Sequence, residues 1–460
     1  MKVCLLIPDG IGIRNYLYSD IIPLLCESNV DVAVWHSLDP SVMKEAEHLN
    51  PHTNFENYEF KFYKEDPLPR FLRDCVGYAR LKVNAKMEGN PTILDNWLPK
   101  KNLKGKVSNY FAEKVGGSFA DLDKITKIDT IIEHQHRKSA AYRKYKEDLK
   151  KMNPDILFCT HQREPNAGVA MLAALDLGIK TVAAIFSWDN LPKGRLPMRA
   201  TSYLVWSDYM EKELLKYFPD IKQEDIQIVG TPQFDFYAKQ DLIKSREEFA
   251  EENDLDPEKR WICYSGDDSL TSPHDPIYLN DIGIALQKEK DIQVLFRPVP
   301  VEGFERYIPV LSKFPFIKTL VPKWKKGEFW NKFFPYPEDI AVLVNLAFHA
   351  DVVVNVGSTM ALDFSQFDKP GIFVNYEVVP DHPWSIKRVY KFQHFRTFDD
   401  LDAVGWINST DEILSTIRKA IDTPSQIATD RLQWRNRIVF QDQKSSASKR
   451  IVDFMINTST

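Results

Sequence analysis

Three stretches of the chain combine residue types that hold or move charge. The first runs from Ala350 to Asp363 and reads Ala-Asp-Val-Val-Val-Asn-Val-Gly-Ser-Thr-Met-Ala-Leu-Asp. A buried strand that ends at a Gly357-Ser358-Thr359 turn, with a helix starting there, offers open backbone N–H groups and two hydroxyls to an anion. Asp363, one turn into that helix, can accept hydrogen bonds from ribose hydroxyls while the turn holds a diphosphate. The plainer alternative is that Ser358 or Thr359 simply caps the helix. Ser265 and Gly266 end a second apolar run, where a turn again offers N–H groups to phosphate. Arg297 ends a third, just before Pro298-Val299-Pro300. Its guanidinium can pair bidentately with phosphate oxygens, or form a structural ion pair with Glu302 or another carboxylate. Trp324, among Lys323, Lys325 and Lys326, can stack on a base or belong to a solvated surface.

Acid–base groups cluster in the first half. Asp9 and Gly10 lie on a glycine-bearing loop after an apolar run. His161 opens His161-Gln162-Arg163-Glu164 after another, and Asp189 follows a third. Asp189, His161 and, behind them, Asp9 are candidates for a base that deprotonates an attacking hydroxyl. Arg163 or Lys193 can stabilise a leaving diphosphate. Asp9 and Asp189-Asn190 can equally be turn-forming residues. His382 and His394 read as structural.

Positioning these groups requires strands that all end at one edge. Val3–Ile7, a helix-like stretch through Leu25, and Val30–Trp35 form an opening strand–helix–strand unit. The alternation returns with strands Asp155–Thr160, Thr181–Phe186, Ser202–Trp206 and Ile226–Val229. A second block has strands Trp261–Tyr264, Val294–Arg297, Val352–Val356 and Gly371–Val374. The pattern predicts two doubly wound α/β domains facing a cleft, with ligands beyond the carboxyl ends of the strands. The expected layout is an acceptor-side domain over 1–235 with a helical insertion at about 67–150. A nucleotide-binding domain over 258–425 follows, then C-terminal helices over 426–460.

Gly357-Ser358-Thr359, Asp363 and Lys369-Pro370 together resemble the nucleotide-binding half of GT-B glycosyltransferases. They also resemble the related non-hydrolysing UDP-N-acetylglucosamine 2-epimerases and CDP-glycerol glycerophosphotransferases. Val229-Gly230-Thr231-Pro232-Gln233-Phe234-Asp235 is similar to the Gly-x-Pro-x-x-Asp segment that closes the N-terminal domain in those families. The resemblance implies that Ser358 and Thr359 grip a diphosphate, that Asp363 binds the ribose, and that the C-terminal helices brace the first domain. The epimerases' His-Arg-x-x-Asn signature is replaced here by Ser265-Gly266-Asp267-Asp268-Ser269. The glycerophosphotransferases' Trp-His-Gly-Thr turn is replaced by Ser187-Trp188-Asp189-Asn190. A glycosyltransferase therefore fits best. It would move a sugar from a nucleotide-diphosphate donor, UDP-sugar first, to a surface-polysaccharide or lipid-linked glycan acceptor. An epimerase, a polyol-phosphate transferase and a non-catalytic nucleotide-sugar binder are the alternatives.

Composition narrows the class further. With 460 residues, 60 basic against 65 acidic side chains and 12% aromatics, the chain is neither a nucleic-acid tracker nor disordered. Five scattered cysteines without a Cys-x-x-Cys pair argue against a disulfide framework or structural zinc. Asp267-Asp268 and Asp399-Asp400 lack metal-ligand spacing, so no cofactor and no metal is expected. A Walker loop and a nucleophile elbow are both absent from the sequence. The scattered cysteines, a first apolar run too short for a signal peptide and no membrane-length apolar run lead to the expectation of a cytoplasmic protein. One local anomaly stands out: Pro67–Lys106 carries nine basic and three acidic residues, a net of +6 interleaved with aromatics. That suits contact with anionic lipid at the inner face of the membrane, or a solvated face beside a small helical core.

Overall fold

The computed structural model describes residues 1–459 except 99, 101, 194–195, 197–198, 328–332 and 443. The chain divides into two compact units. The first comprises Met1–Gln233, Phe392–His394 and Ile438–Thr460; the second comprises Phe234–Lys391 and Phe395–Arg437.

The first unit is built on seven parallel strands. They are β1 (Lys2–Ile7), β2 (Asp31–His36), β3 (Phe55–Glu59), β4 (Ile156–Cys159), β5 (Lys180–Ala184), β6 (Ser202–Val205) and β7 (Ile226–Ile228). They pair in the order β3-β2-β1-β4-β5-β6-β7. Val3 to Ile7 and Ile156 to Cys159 are fully or almost fully buried. Parallel strands are covered by helices on both faces, so they read as unbroken apolar runs instead of alternating ones. The edge strand β3 is different: Phe-Glu-Asn-Tyr-Glu is half solvated, and its polarity hides it from the sequence pattern. Between β3 and β4 lies the insertion, with helices Pro67–Glu88, Leu103–Ser118, Leu122–Lys138 and Ala140–Met152. Gly89, at φ +59°, ends the first of these in the left-handed conformation. Asn102, Asp121 and Ser139 cap the other three through side-chain oxygens. Val76, Ala79, Ile125 and Ile132 form the insertion's own small core. The last helix, Ala447–Ser459, packs on Ile21–Glu27 of the same unit.

The second unit holds six parallel strands: β8 (Arg260–Ser265), β9 (Ile292–Arg297), β10 (Ile317–Thr319), β13 (Val352–Asn355), β14 (Gly371–Val374) and β15 (Gly405–Ile407). Their order is β10-β9-β8-β13-β14-β15. An antiparallel pair, β11 (Trp324–Lys325) with β12 (Phe334–Pro335), stands apart. Tyr264, Val294, Phe296, Val352, Val354 and Ile372 anchor its core. All five cysteines are free thiols; Cys4, Cys75, Cys159 and Cys263 are buried, and burial pushes the Cys159 thiol up to about 12. No described helix is long and apolar enough to cross a membrane.

Candidate functional site

At the carboxyl end of the first sheet, the loops after β1 and β4 bring Asp9 and His161 together. His161 Nδ1–H donates to Asp9 Oδ2 at 2.7 Å, and both residues are buried. The other carboxylate oxygen, Oδ1, accepts the Ile11 N–H at 3.1 Å, which fixes the carboxylate. Phe186 stands edge-on to the imidazole at 4.7 Å. His161 Nε2 has no hydrogen-bond partner among the described residues. A carboxylate on Nδ1 selects the tautomer that leaves the Nε2 lone pair open, which is how a histidine is prepared as a general base. The close approach depends on Gly12. A β-carbon there would lie 2.4 Å from Thr160 Oγ1, so any side chain would push the two loops apart. Gly10 follows Asp9 in the same loop, and its carbonyl accepts the Ile13 N–H at the start of a π-helical turn, Ile13–Leu17.

Asp189 is held differently. Its carboxylate is ion-paired with Lys193 one turn on, and accepts from Ser187 Oγ at 2.6 Å and Asn190 Nδ2 at 3.1 Å. Burial favours the neutral acid, but Lys193, His394 and these hydrogen bonds outweigh it and hold the carboxyl well below the usual range. A carboxylate so stabilised is a weak base. Lys193 is likewise committed to Asp189. Arg163 is exposed, and its guanidinium donates to Asn190 Oδ1 at 3.3 Å, linking the His161 loop to the Asp189 turn. Asp189 and Lys193 line a cavity of about 90 Å³ together with Asp95, Asn96, Phe392 and His394. His394 packs edge-on against Trp188 at 4.9 Å, and burial pulls its imidazole down to about 4, against the pull of Asp189. Neighbouring Gln393 accepts from Asn90 Nδ2 at 2.9 Å, which ties this short segment to the insertion.

In the second unit, the turn after β13 is open. Gly357 has φ +72°, and a β-carbon there would meet the Phe395 ring at 2.7 Å. Asn355 Oδ1 accepts the Ser358 N–H at 2.9 Å, while Asn355 Nδ2 is buried without a partner. The Gly357 and Thr359 N–H groups have no acceptor among the described residues, and Thr359 is exposed. Neither hydroxyl makes a strong cap: Ser358 Oγ accepts the Met360 N–H at a long 3.4 Å, and Thr359 makes no side-chain cap bond.

Four of the expected contact groups are held by partners within the fold. Asp363 does not face an open ribose position; it is buried, and its Oδ1 accepts from the Tyr237 hydroxyl at 2.7 Å. Arg297 is also buried and takes the structural alternative, donating to both oxygens of a carboxylate, Asp339 in place of the sequence-near Glu302, at 2.8 and 2.7 Å. Asp339 further accepts the Lys323 N–H at 2.7 Å and Trp324 Nε1–H at 2.6 Å, so Trp324 is anchored in this network. At the end of β8, Ser265 is buried and the Gly266 N–H is taken by the Arg297 carbonyl at 2.9 Å. Gly266 is required by packing: a β-carbon would sit 2.9 Å from Phe296 and 3.0 Å from the Tyr307 hydroxyl. His394, Asp95 and Asn96 carry no local signal that would join them to Asp189, being close to it only through the fold.

No family model matches the sequence, and no curated protein matches it. Solved structures do. The S. aureus MnaA–UDP co-structure aligns over 100% of this chain and 96% of its own, with a TM-score of 0.53 and 10% identity. UDP-GlcNAc 2-epimerase from Methanocaldococcus jannaschii aligns over 99% and 100%, with 0.54 and 12%. A glycosyltransferase from Rickettsia africae aligns over 100% and 97%, with 0.52 and 11%. Two parallel-stranded Rossmann-like units and full-length alignment to these structures give this chain the GT-B fold.

Proposed function

We propose that this chain is a glycosyltransferase that moves a sugar from a nucleotide-diphosphate donor, with His161 as its general base. The observation that carries this reading is the buried His161–Asp9 pair with Nε2 left open. In the proposed step, the acceptor hydroxyl gives its proton to His161 Nε2 as its oxygen bonds to the anomeric carbon. The bond from that carbon to the diphosphate breaks, and the nucleoside diphosphate leaves. Asp9 holds the imidazole in the competent tautomer and stabilises the imidazolium that forms. A positioned base of this kind contributes roughly 10²–10⁴-fold. Asp189 and Lys193 neutralise each other and shape the adjoining cavity, where an acceptor would bind.

The Gly357-Ser358-Thr359 turn is the proposed diphosphate cradle, through the open N–H groups of Gly357 and Thr359 and the unpartnered Asn355 Nδ2. The turn's N–H groups matter more than any dipole, because the helix after it, Met360–Ser365, is short. UDP is the first nucleotide to test, since one of the similar structures is a UDP complex. The acceptor is expected to be a glycan or lipid-linked glycan. The experiment is a panel of UDP-sugars with and without hydroxyl acceptors, following UDP release by the wild type and His161→Ala. Conversion of UDP-GlcNAc to its 2-epimer without UDP release would replace this reading with an epimerase.

A further inference from the structure

The insertion helix Leu103–Ser118 is amphipathic in the reverse of the usual sense. Its packed face is made of Gly105, Asn109, Ala112 and Gly116, and a β-carbon on Gly116 would lie 2.3 Å from the Cys75 carbonyl oxygen. The small residues let this helix lie directly on Pro67–Glu88. The large apolar side chains are on the opposite face: Leu103, Val107, Tyr110, Phe111 and Val115 follow i, i+4, i+7, i+8 and i+12 and are all exposed. Leu103 is 78% exposed, Tyr110 56% and Phe111 53%, where a helix of an ordinary globular domain would bury them.

Charge identifies the partner. Lys104 and Lys106 are exposed and make no ion pair among the described residues; Lys114 lies with its ammonium 5.7 Å from the Tyr110 ring. The helix contains a single acid, Glu113, and its carboxylate is turned onto Trp97 Nε1 at 2.9 Å. Three of the nine basic residues that the sequence places at 67–106 are consumed internally: Arg80 pairs with Asp129, Arg73 with Glu65 and Lys100 with Asp74. Lys101 lies outside the described residues. What remains is an apolar, aromatic stripe flanked by unpaired ammonium groups.

We propose that this face docks on an anionic lipid surface, with Leu103, Val107, Tyr110, Phe111 and Val115 entering the headgroup–acyl boundary and Lys104, Lys106 and Lys114 meeting lipid phosphates. A second copy of the chain on the same face would set these lysines against their own kind. The inference is independent of the reaction. The test is vesicle flotation with pure phosphatidylcholine and with a phosphatidylcholine–phosphatidylglycerol mixture. Each lysine near the surface is worth roughly fivefold, so the anionic vesicles should bind on the order of 100-fold more tightly. Leu103→Glu/Phe111→Glu should abolish flotation while leaving the melting temperature and circular dichroism unchanged, because both side chains are exposed. Lys104→Glu/Lys114→Glu should remove the anionic preference. No binding to anionic vesicles, equal binding to both kinds, or binding unaffected by Leu103→Glu/Phe111→Glu would overturn the proposal. So would a wild-type dimer, by light scattering, that Leu103→Glu/Phe111→Glu converts to monomer.

Discussion

Replacing Asp9 with Asn alters the residue that orients the proposed base, His161, and leaves the side-chain volume almost untouched. Two losses follow. A buried hydrogen bond to a charged group is worth about 1.5–3 kcal/mol, or roughly 10–150-fold in rate if it is made fully only as His161 takes up its proton. The second loss is the tautomer. Asp9 uses both oxygens as acceptors, from Ile11 N–H and from His161 Nδ1–H. An Asn side chain has one acceptor. If it keeps Ile11, its amide donates to Nδ1 and the ring proton moves to Nε2, closing the lone pair needed for catalysis. If it keeps His161, its amide confronts the Ile11 N–H. Asp9→Asn should therefore lower kcat by roughly 10²–10³-fold, below the ceiling of about 10⁴ for a general base, with KM little altered. The assay is steady-state UDP release with the donor and acceptor that the panel selects. Because the two residues act as a unit, Asp9→Asn/His161→Ala should be no slower than His161→Ala alone. Asp189→Asn should cost less than either. A folded Asp9→Asn enzyme within about threefold of wild-type kcat would refute the dyad as the base.

Other perturbations separate structural from binding roles. Gly357→Ala forces a β-carbon into the left-handed region and onto Phe395, costing at least about 1–2 kcal/mol. It should weaken UDP binding in calorimetry and lower the melting temperature by roughly 2–8 °C. Arg297→Met leaves the Asp339 carboxylate buried beside Trp324, and should destabilise the second unit by about 3–5 kcal/mol in denaturant unfolding. Loss of UDP affinity without loss of stability would instead return Arg297 to a phosphate role. Glu213 is buried with Oε2 unpartnered, and burial, then the charges of Glu88 and Asp189, push its carboxyl up to about 8. The folded state thus favours the neutral acid. That stability is fully present below the unfolded value near 4.5 and is lost as pH rises toward 8, by at most about 5 kcal/mol. Glu213→Gln should therefore gain on the wild type in melting temperature between pH 5 and 8, and parallel curves would refute the assignment.

Legibility in the sequence followed locality. Val3–Ile7, Ile156–Cys159 and Val352–Asn355 are readable because strands buried on both faces are apolar throughout. Their ends place Asp9, His161 and Gly357 correctly at strand termini. Phe55–Glu59 is invisible because an edge strand can be polar; Ile317–Thr319 and Gly405–Ile407 are too short to carry periodicity, whereas the equally short Ile226–Ile228 is marked by the Gly230-Thr231-Pro232 turn that follows it. Partner choice is a different matter. Glu302 is the near carboxylate to Arg297 in sequence, yet the fold delivers Asp339. Asp363 is four residues past Thr359, but the helix turns that position toward Tyr237. His394 reaches the Asp189 cavity only because residues 392–394 pack into the first unit while their neighbours on both sides belong to the second. The +6 stretch was readable as a charge count, but Arg80's burial against Asp129 and the apolar stripe on Leu103–Ser118 were not.

The most direct test of nucleotide-sugar transfer by this chain is mass-resolved product analysis with UDP-sugars, an acceptor panel, and wild-type or His161→Ala protein, paired with UDP titration of both. Acceptor-dependent UDP and glycosylated product are expected from the wild type. His161→Ala should lose at least about 100-fold in turnover while binding UDP as tightly as the wild type. Neither protein binding UDP, or a sugar epimer formed without UDP release, would contradict it.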